Sequence, residues 1–250
     1  MFGLYFFICG LFLGSFLHTT AFRLENEISL LKPSSCESCG KRIGILGLMP
    51  IIGFLIQKGK ASCCGKSVPY KYPVLELMNG VLLYLLFREN GLSLNLVYEV
   101  VIWESLFLIA ILDFNTMFIF WQPVLICLIG RGLQIFLIEP ESTLTSLAGL
   151  FIGAGVFHFI SYFYIIARKK EGLGSGDATL VGVLGFILGW QILPSIIFLS
   201  SILGILLILV MSLIKKQSLN EAYPFGPALI IGAFILNLSP GLLRNILPWF

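Results

Sequence analysis

Apolar residues run along this chain in eight long blocks, with one polar stretch between the first two. The blocks cover residues 2–22, 73–87, 97–112, 117–138, 143–167, 178–192, 194–214 and 225–247. A helix needs ~20 mostly apolar residues to cross a bilayer, so the pattern predicts about eight transmembrane helices. The second and sixth blocks are short. The break at Trp190–Pro194 is the weakest division, and fusing blocks six and seven would reverse the sidedness of everything after it. The expected fold class is an all-α polytopic membrane protein. It is expected to have a first helix within 1–22, a loop domain at 23–72 and a membrane core at 73–250.

Charge tests that count. The 23–72 segment carries Arg23, Lys32, Lys41, Arg42, Lys58, Lys60, Lys66 and Lys71. Eight crossings put Arg168-Lys169-Lys170 and Lys215-Lys216 on the same side, so that side holds 13 of the 16 basic residues. The positive-inside rule makes it the cytoplasm, with both ends of the chain outside. Composition agrees, at 58% hydrophobic and 12% charged residues, where a soluble domain has nearer ~25% charged. The surrounding partner is therefore membrane lipid. A net charge of +3, dispersed along the chain, excludes a nucleic-acid binder. The first block has no basic stretch before it and no small-residue cleavage site after it, so it reads as a helix rather than a removable signal.

The chain has two aspartates, Asp113 and Asp177, each at the edge of an apolar block. Carboxylates beside hydrocarbon are costly and are retained for function. The eight-helix topology puts both at cytoplasmic helix ends, at matching depth, which suggests a catalytic dyad. Two close carboxylates resist double ionisation, so one stays protonated as an acid while the other acts as a base. Blander readings exist for each alone. Asp177 in Gly174-Ser175-Gly176-Asp177 could be a helix N-cap with turn glycines before it, and Asp113 could be an interfacial residue ending a helix. As a functional element, Gly174 and Gly176 would instead let backbone and substrate approach the carboxylate.

The loop at 23–72 is too small to hold a robust core without a staple. Cys36-x2-Cys39 is half of a zinc knuckle, and the adjacent pair Cys63-Cys64 follows. Four thiolates at Cys36, Cys39, Cys63 and Cys64 would suit structural zinc, although Ala61 stands where the second pair's first cysteine is expected. Ordinary unmetallated thiols are the alternative; disulfides fit a reducing compartment poorly. Cys9 and Cys127 lie inside apolar blocks as packing residues. Glu104 and Arg131 are expected to pair across adjacent helices. His158 reads as hydrogen-bonded packing. Gly10-x-x-x-Gly14-Ser15 would bring two helices close. There is no Gly-x-Ser-x-Gly elbow and no His-Glu-x-x-His motif, so serine and zinc proteolysis lack support.

Taken in order along the chain, these motifs resemble those of the type IV prepilin peptidases, bacterial GxGD membrane aspartyl proteases. The resemblance runs from Gly10-Leu-Phe-Leu-Gly14-Ser15 through Arg23-Leu24, the cysteine loop and Tyr72-Pro73-Val-Leu-Glu76. It continues through Asp113-Phe-Asn-Thr-Met-Phe-Ile119, then Gly174-x-Gly176-Asp177-Ala-Thr-Leu180, and ends at Pro224-Phe225-Gly226-Pro227. This chain departs from the family pattern at several positions. Phe120-Trp121 replaces Pro-Asp, Thr179 stands for a frequent lysine, and Glu25 stands for proline. Met49-Pro50 and Gly53 differ, and Ala61 replaces a cysteine.

The resemblance implies an inner-membrane enzyme with Asp113 and Asp177 as its catalytic residues. It would cut the basic leader from prepilins or prepseudopilins of type IV pili or type II secretion, at the cytoplasmic face. It also implies N-methylation of the new N-terminus with S-adenosylmethionine, for which Glu76 is the residue to watch. Sequence leaves open which aspartate is the base, since the shared proton belongs to the pair. The rival from another class is a proton-coupled transporter, which would place its acids near the bilayer midplane and often carry internal repeats.

Overall fold

A computed structural model describes residues 2–169, 174–215 and 223–239. Each apolar block forms a helix: α1 is Phe2–Glu25, and after two short helices in the polar loop, α2 (Ile45–Leu48) and α3 (Ile52–Ile56), come α4 (Lys71–Asn90) and α5 (Leu94–Thr116). Then follow α6 (Trp121–Leu137), α7 (Thr143–Arg168), α8 (Ser175–Leu188), α9 (Leu193–Lys215) and α10 (Gly226–Leu238). The described residues contain no strand beyond two isolated bridges. Four helical stretches, at Phe2–Glu25, Leu94–Thr116, Pro140–Ala167 and Trp190–Leu213, are long and apolar enough to cross a membrane; α6, α8 and α10 are shorter apolar helices. Lys170, Lys216, Arg244 and the end of the eighth block lie outside the described residues.

The helix ends have local causes. Gly91 takes a positive φ of 59° and closes α4 by donating its N–H to Phe87 O at 2.8 Å. Gly189, at φ 87°, closes α8 in the same way onto Gly185 O. Only glycine adopts such a backbone freely, and this stop divides α8 from α9. The division expected at Trp190–Pro194 is therefore present as a short 3-10 turn, Trp190–Ile192. Met117 (φ 55°) and Lys169 (φ 53°) end α5 and α7 in the left-handed region without being glycine. Because of the Met117 turn, the fourth block becomes helical only at Trp121.

The chain forms two compact units, Met1–Val100 and Val101–Phe250. In the first, α1 packs along α4. A Cβ on Gly10 would meet Asn79 O at 2.7 Å and Gly80 Cα at 2.8 Å, and one on Gly14 would meet Glu76 Cα at 3.0 Å. The Gly10-x-x-x-Gly14 spacing thus lets the two backbones touch, and Asn79 Nδ2 donates to Gly10 O at 3.1 Å across the contact.

The second unit is built on α7 against α8, where Gly149 faces Gly185 and Gly153 faces Val181–Gly182 so closely that a Cβ would strike backbone. Trp103 and Phe234 pack edge to face at 4.8 Å between α5 and α10. Arg131 takes a different partner from the one expected. Its ion pair is with Glu139 (3.0 Å), just past the end of its own helix, and it also donates to Gln134 and Ser142. The guanidinium reaches the turn after its own helix, where Glu139 and Ser142 lie.

Candidate active site

The second unit brings the two aspartates together. Asp113 lies in the last turn of α5, where its carbonyl takes the Met117 N–H at 2.8 Å, and it is only 5% exposed. Asp177 is the third residue of α8 and half-buried. The segment after α5 meets the beginning of α8, where Ile119 lies against Gly176, and the Asp113 carboxylate acts electrostatically on Asp177. Asp177 is not the helix cap that its position allowed. Gly174 is the N-cap residue, and no side chain makes a cap hydrogen bond. A Cβ on Gly174 would lie 3.3 Å from Asp177 Oδ2, and one on Gly176 would lie 3.2 Å from Ile119. Gly174 keeps the space beside the carboxylate open, and Gly176 lets Ile119 pack against the start of α8.

A third segment completes the site. Gly226, the first residue of α10, donates its buried N–H to Asp113 Oδ2 at 2.9 Å. A Cβ there would sit 2.6 Å from that oxygen and 3.0 Å from Cγ, so any larger residue would have to displace the carboxylate. Phe225 rests against Gly204 of α9 and anchors the turn. In the sequence, Pro224-Phe225-Gly226-Pro227 stands as a motif with no role of its own. A glycine locked between two prolines at the start of an apolar block was the available signal.

In the first unit the four loop cysteines converge, their sulfurs all within 4.8 Å of one another. Cys36 and Cys64 are 3.8 Å apart and Cys39 and Cys63 3.3 Å. Four thiolates around one zinc at ~2.3 Å would stand about 3.8 Å apart, so the set fits such an ion. Two matching turns build it. Cys36 N–H donates to Lys41 O and Gly40 N–H to Cys36 O; likewise Ala61 N–H donates to Lys66 O and Gly65 N–H to Ala61 O. Each turn is closed by an isolated bridge, Ser35 with Arg42 and Lys60 with Ser67. Ala61 thus occupies the counterpart of Cys36, and the extra thiol of Cys63 stands at the counterpart of Ser38. Backbone N–H groups of Ser38 and Cys39 bring the Cys36 thiol down to about 7. Hydrogen bonds with the Cys39 and Cys36 sulfurs push Cys63 up to about 12.

Glu76 is buried on α4, its Oε2 accepting Ile51 N–H at 2.7 Å, with Ser15 as a second partner. Ile51 has a positive φ of 57°, unusual for a β-branched residue. Glu76 lines a cavity of about 240 Å³ together with Ser15, His18, Arg23 and Tyr72. The His18 and Tyr72 rings pack at 4.2 Å, and Tyr72 Oη donates to Glu37. Sequence reading missed His18. Its signal was register: with Gly10 and Gly14 it repeats every four residues along the face of α1 that meets α4.

Comparison with known proteins matches this layout. The profile of the Bacterial Peptidase A24 N-terminal domain matches residues 8–89, and that of the Type IV leader peptidase family matches residues 100–209. A prepilin leader peptidase/N-methyltransferase of Bacillus subtilis (strain 168) is 34% identical over 93% of this chain and 92% of its own length. Proteins of the same description from Klebsiella pneumoniae and Neisseria gonorrhoeae are 31% and 27% identical, over 80% and 97% of this chain and 91% and 92% of theirs. No solved structure matches the chain. On these grounds the chain belongs to the type IV leader peptidase family.

Proposed function

We propose that this protein is an aspartic endopeptidase of the bacterial inner membrane. It removes the leader of prepilins or prepseudopilins at the cytoplasmic face and then methylates the new N-terminus. The observation that carries the reading is the meeting of the chain's only two aspartates, with glycines cleared around them. One carboxylate takes a proton from water as the water oxygen attacks the scissile carbonyl. The other gives its proton to the carbonyl oxygen, and the C–N bond then breaks. The substrate's apolar helix stays in the bilayer and presents its leader junction at the edge where the dyad lies. Relatives described as peptidases and methyltransferases lend no support to proton-coupled transport.

Methylation belongs, in this reading, to the first unit. S-adenosylmethionine would supply the methyl group. Glu76, a buried carboxylate facing a cavity, would hold the new α-ammonium and accept its proton. The loop at 23–72 lies in the cytoplasm between the first helix and the 73–250 core, braced by zinc on Cys36, Cys39, Cys63 and Cys64. The eight helices make eight crossings.

The test is in vitro cleavage of a prepilin by detergent-purified protein with S-adenosylmethionine present, the products read by mass. Wild type yields a leader and a methylated mature chain. Asp113→Asn and Asp177→Asn each abolish cleavage with normal expression and insertion, because neither amide can exchange the shared proton. Substantial turnover by either variant removes the dyad.

A further inference from the structure

The two aspartates look alike in sequence, each closing or opening an apolar block, but the fold gives them different surroundings. Asp113 Oδ2 receives the Gly226 N–H at 2.9 Å in a buried setting. That N–H is the first at the start of α10, where helix N–H groups lack partners and the helix dipole is positive. Pro227, at the next position, has no N–H, so Gly226 is the donor nearest the helix start. Among the described residues no hydrogen-bond donor reaches the Asp177 carboxylate, whose electrostatic neighbour is Asp113 itself. A backbone N–H stabilises a carboxylate more than a carboxylic acid.

We propose that Asp113 is the ionised member of the pair and the base toward water, that Gly226 is the positioning residue that keeps it so, and that Asp177 holds the proton and polarises the scissile carbonyl. This assignment rests on the dyad reading above. The water proton passes to Asp113 as oxygen bonds to the carbonyl carbon, and the Asp177 proton passes to the carbonyl oxygen. When the carbonyl re-forms, the proton on that oxygen returns to Asp177. The C–N bond breaks, and the amine leaves with the proton from Asp113, which restores the starting state.

Among the described residues the elements around the pair carry few other charges, and α7, packed on α8, adds His158 and, at its end, Arg168 and Lys169. α8 carries no ionisable residue besides Asp177, and α10 carries none. α9 has none before Lys215 at its far end. On α5 the next acid back is Glu104, about 13 Å along the helix at 1.5 Å per residue. Arg131 of α6 is occupied by Glu139. Among the described residues, Tyr223 is the titratable group just ahead of the turn.

The experiment removes the donor and reads the pH profile of kcat/KM for prepilin cleavage by the full-length protein. Replacing Gly226 by glycolic acid turns the amide into an ester and deletes the N–H without adding an atom at the crowded position. If Asp113 is the base, the acid limb marks its ionisation. Loss of the donor then moves that limb to higher pH, by about one unit for a hydrogen bond to a charged group, while the alkaline limb and KM stay in place. Gly226→Ala, which pushes a methyl into Oδ2, moves the acid limb the same way and lowers kcat at least tenfold. A shift of the alkaline limb alone would mean that Asp177 ionises first and would overturn the assignment, as would a folded variant with neither limb moved.

The chain's two aspartates also allow a readout that needs no turnover. With 13C-aspartate labelling, infrared spectra at the pH of maximal cleavage resolve one ionised and one protonated carboxyl. The Gly226 substitution displaces the ionised band; displacement of the protonated band instead would refute the proposal. Failure of the dyad itself registers separately, as cleavage by Asp113→Asn.

Discussion

Position 61 is where this chain departs most sharply from a four-cysteine pattern, and the geometry there explains how the cluster survives. Ala61 makes the same turn hydrogen bonds as Cys36, so the backbone of a knuckle persists although its first thiol is gone. The fourth sulfur comes instead from Cys63, two residues further on, within 3.3 Å of Cys39. A direct consequence can be measured. Purified protein is expected to hold close to one zinc per chain, and Cys63→Ser should lose it and render the 23–72 loop protease-sensitive, because a segment this small depends on the ion for order. Adding Ala61→Cys to that variant restores the ligand at the counterpart of Cys36 and should recover both metal and protease resistance. A double variant that stays metal-free would show that Cys63 does not stand in for position 61.

At the scale of elements, the site depends on how closely α7 and α8 approach. Gly149 and Gly185 meet backbone to backbone, and α8 carries Asp177 at its start. Gly185→Ala would drive a methyl into the Gly149 carbonyl. Overpacking of this kind costs roughly 1–3 kcal/mol, so the melting temperature in detergent should fall. Cleavage should drop more than tenfold as α8 shifts, with the metal content of the loop unchanged. Wild-type cleavage by that variant would separate the helix crossing from the placement of Asp177. The helices themselves were legible because apolar blocks of membrane length have few alternatives to helix. Ends were legible where glycine stops a helix, as at Gly91 and Gly189. They were not legible at Met117 and Lys169, ordinary residues held in a left-handed conformation by the turn around them. The Gly226–Asp113 hydrogen bond joins residues 113 apart, and no periodicity reports such a contact. Arg131 also chose a partner by reach in space rather than by helix spacing.

For the whole molecule, the number of bilayer crossings decides which face the two aspartates look onto. Four helical stretches qualify by length and composition, while α6, α8 and α10 are shorter. At 1.5 Å per residue the 14 residues of α8 rise only about 21 Å, less than the ~30 Å hydrocarbon core. A helix that short leaves one of its ends below the membrane surface. In the proposed topology the sunken end is the cytoplasmic one, which would put the Asp177 carboxylate in a recess open to water on one side and suit hydrolysis of a substrate whose own helix remains in lipid. The side that water reaches must be the cytoplasmic one if leaders are cut there, and basic residues set that side. Reporters fused after Lys60, Lys170 and Lys216 should therefore read cytoplasmic, and reporters after Asn90 and Glu141 external. The positions carry different weight. An external signal at Lys216 alone would mean that α8 and α9 act as one crossing despite the Gly189 turn, and the dyad would be untouched. An external signal at Lys170 would put Asp177 on the far face from the leader, and cytoplasmic cleavage by this pair of aspartates would have to be abandoned.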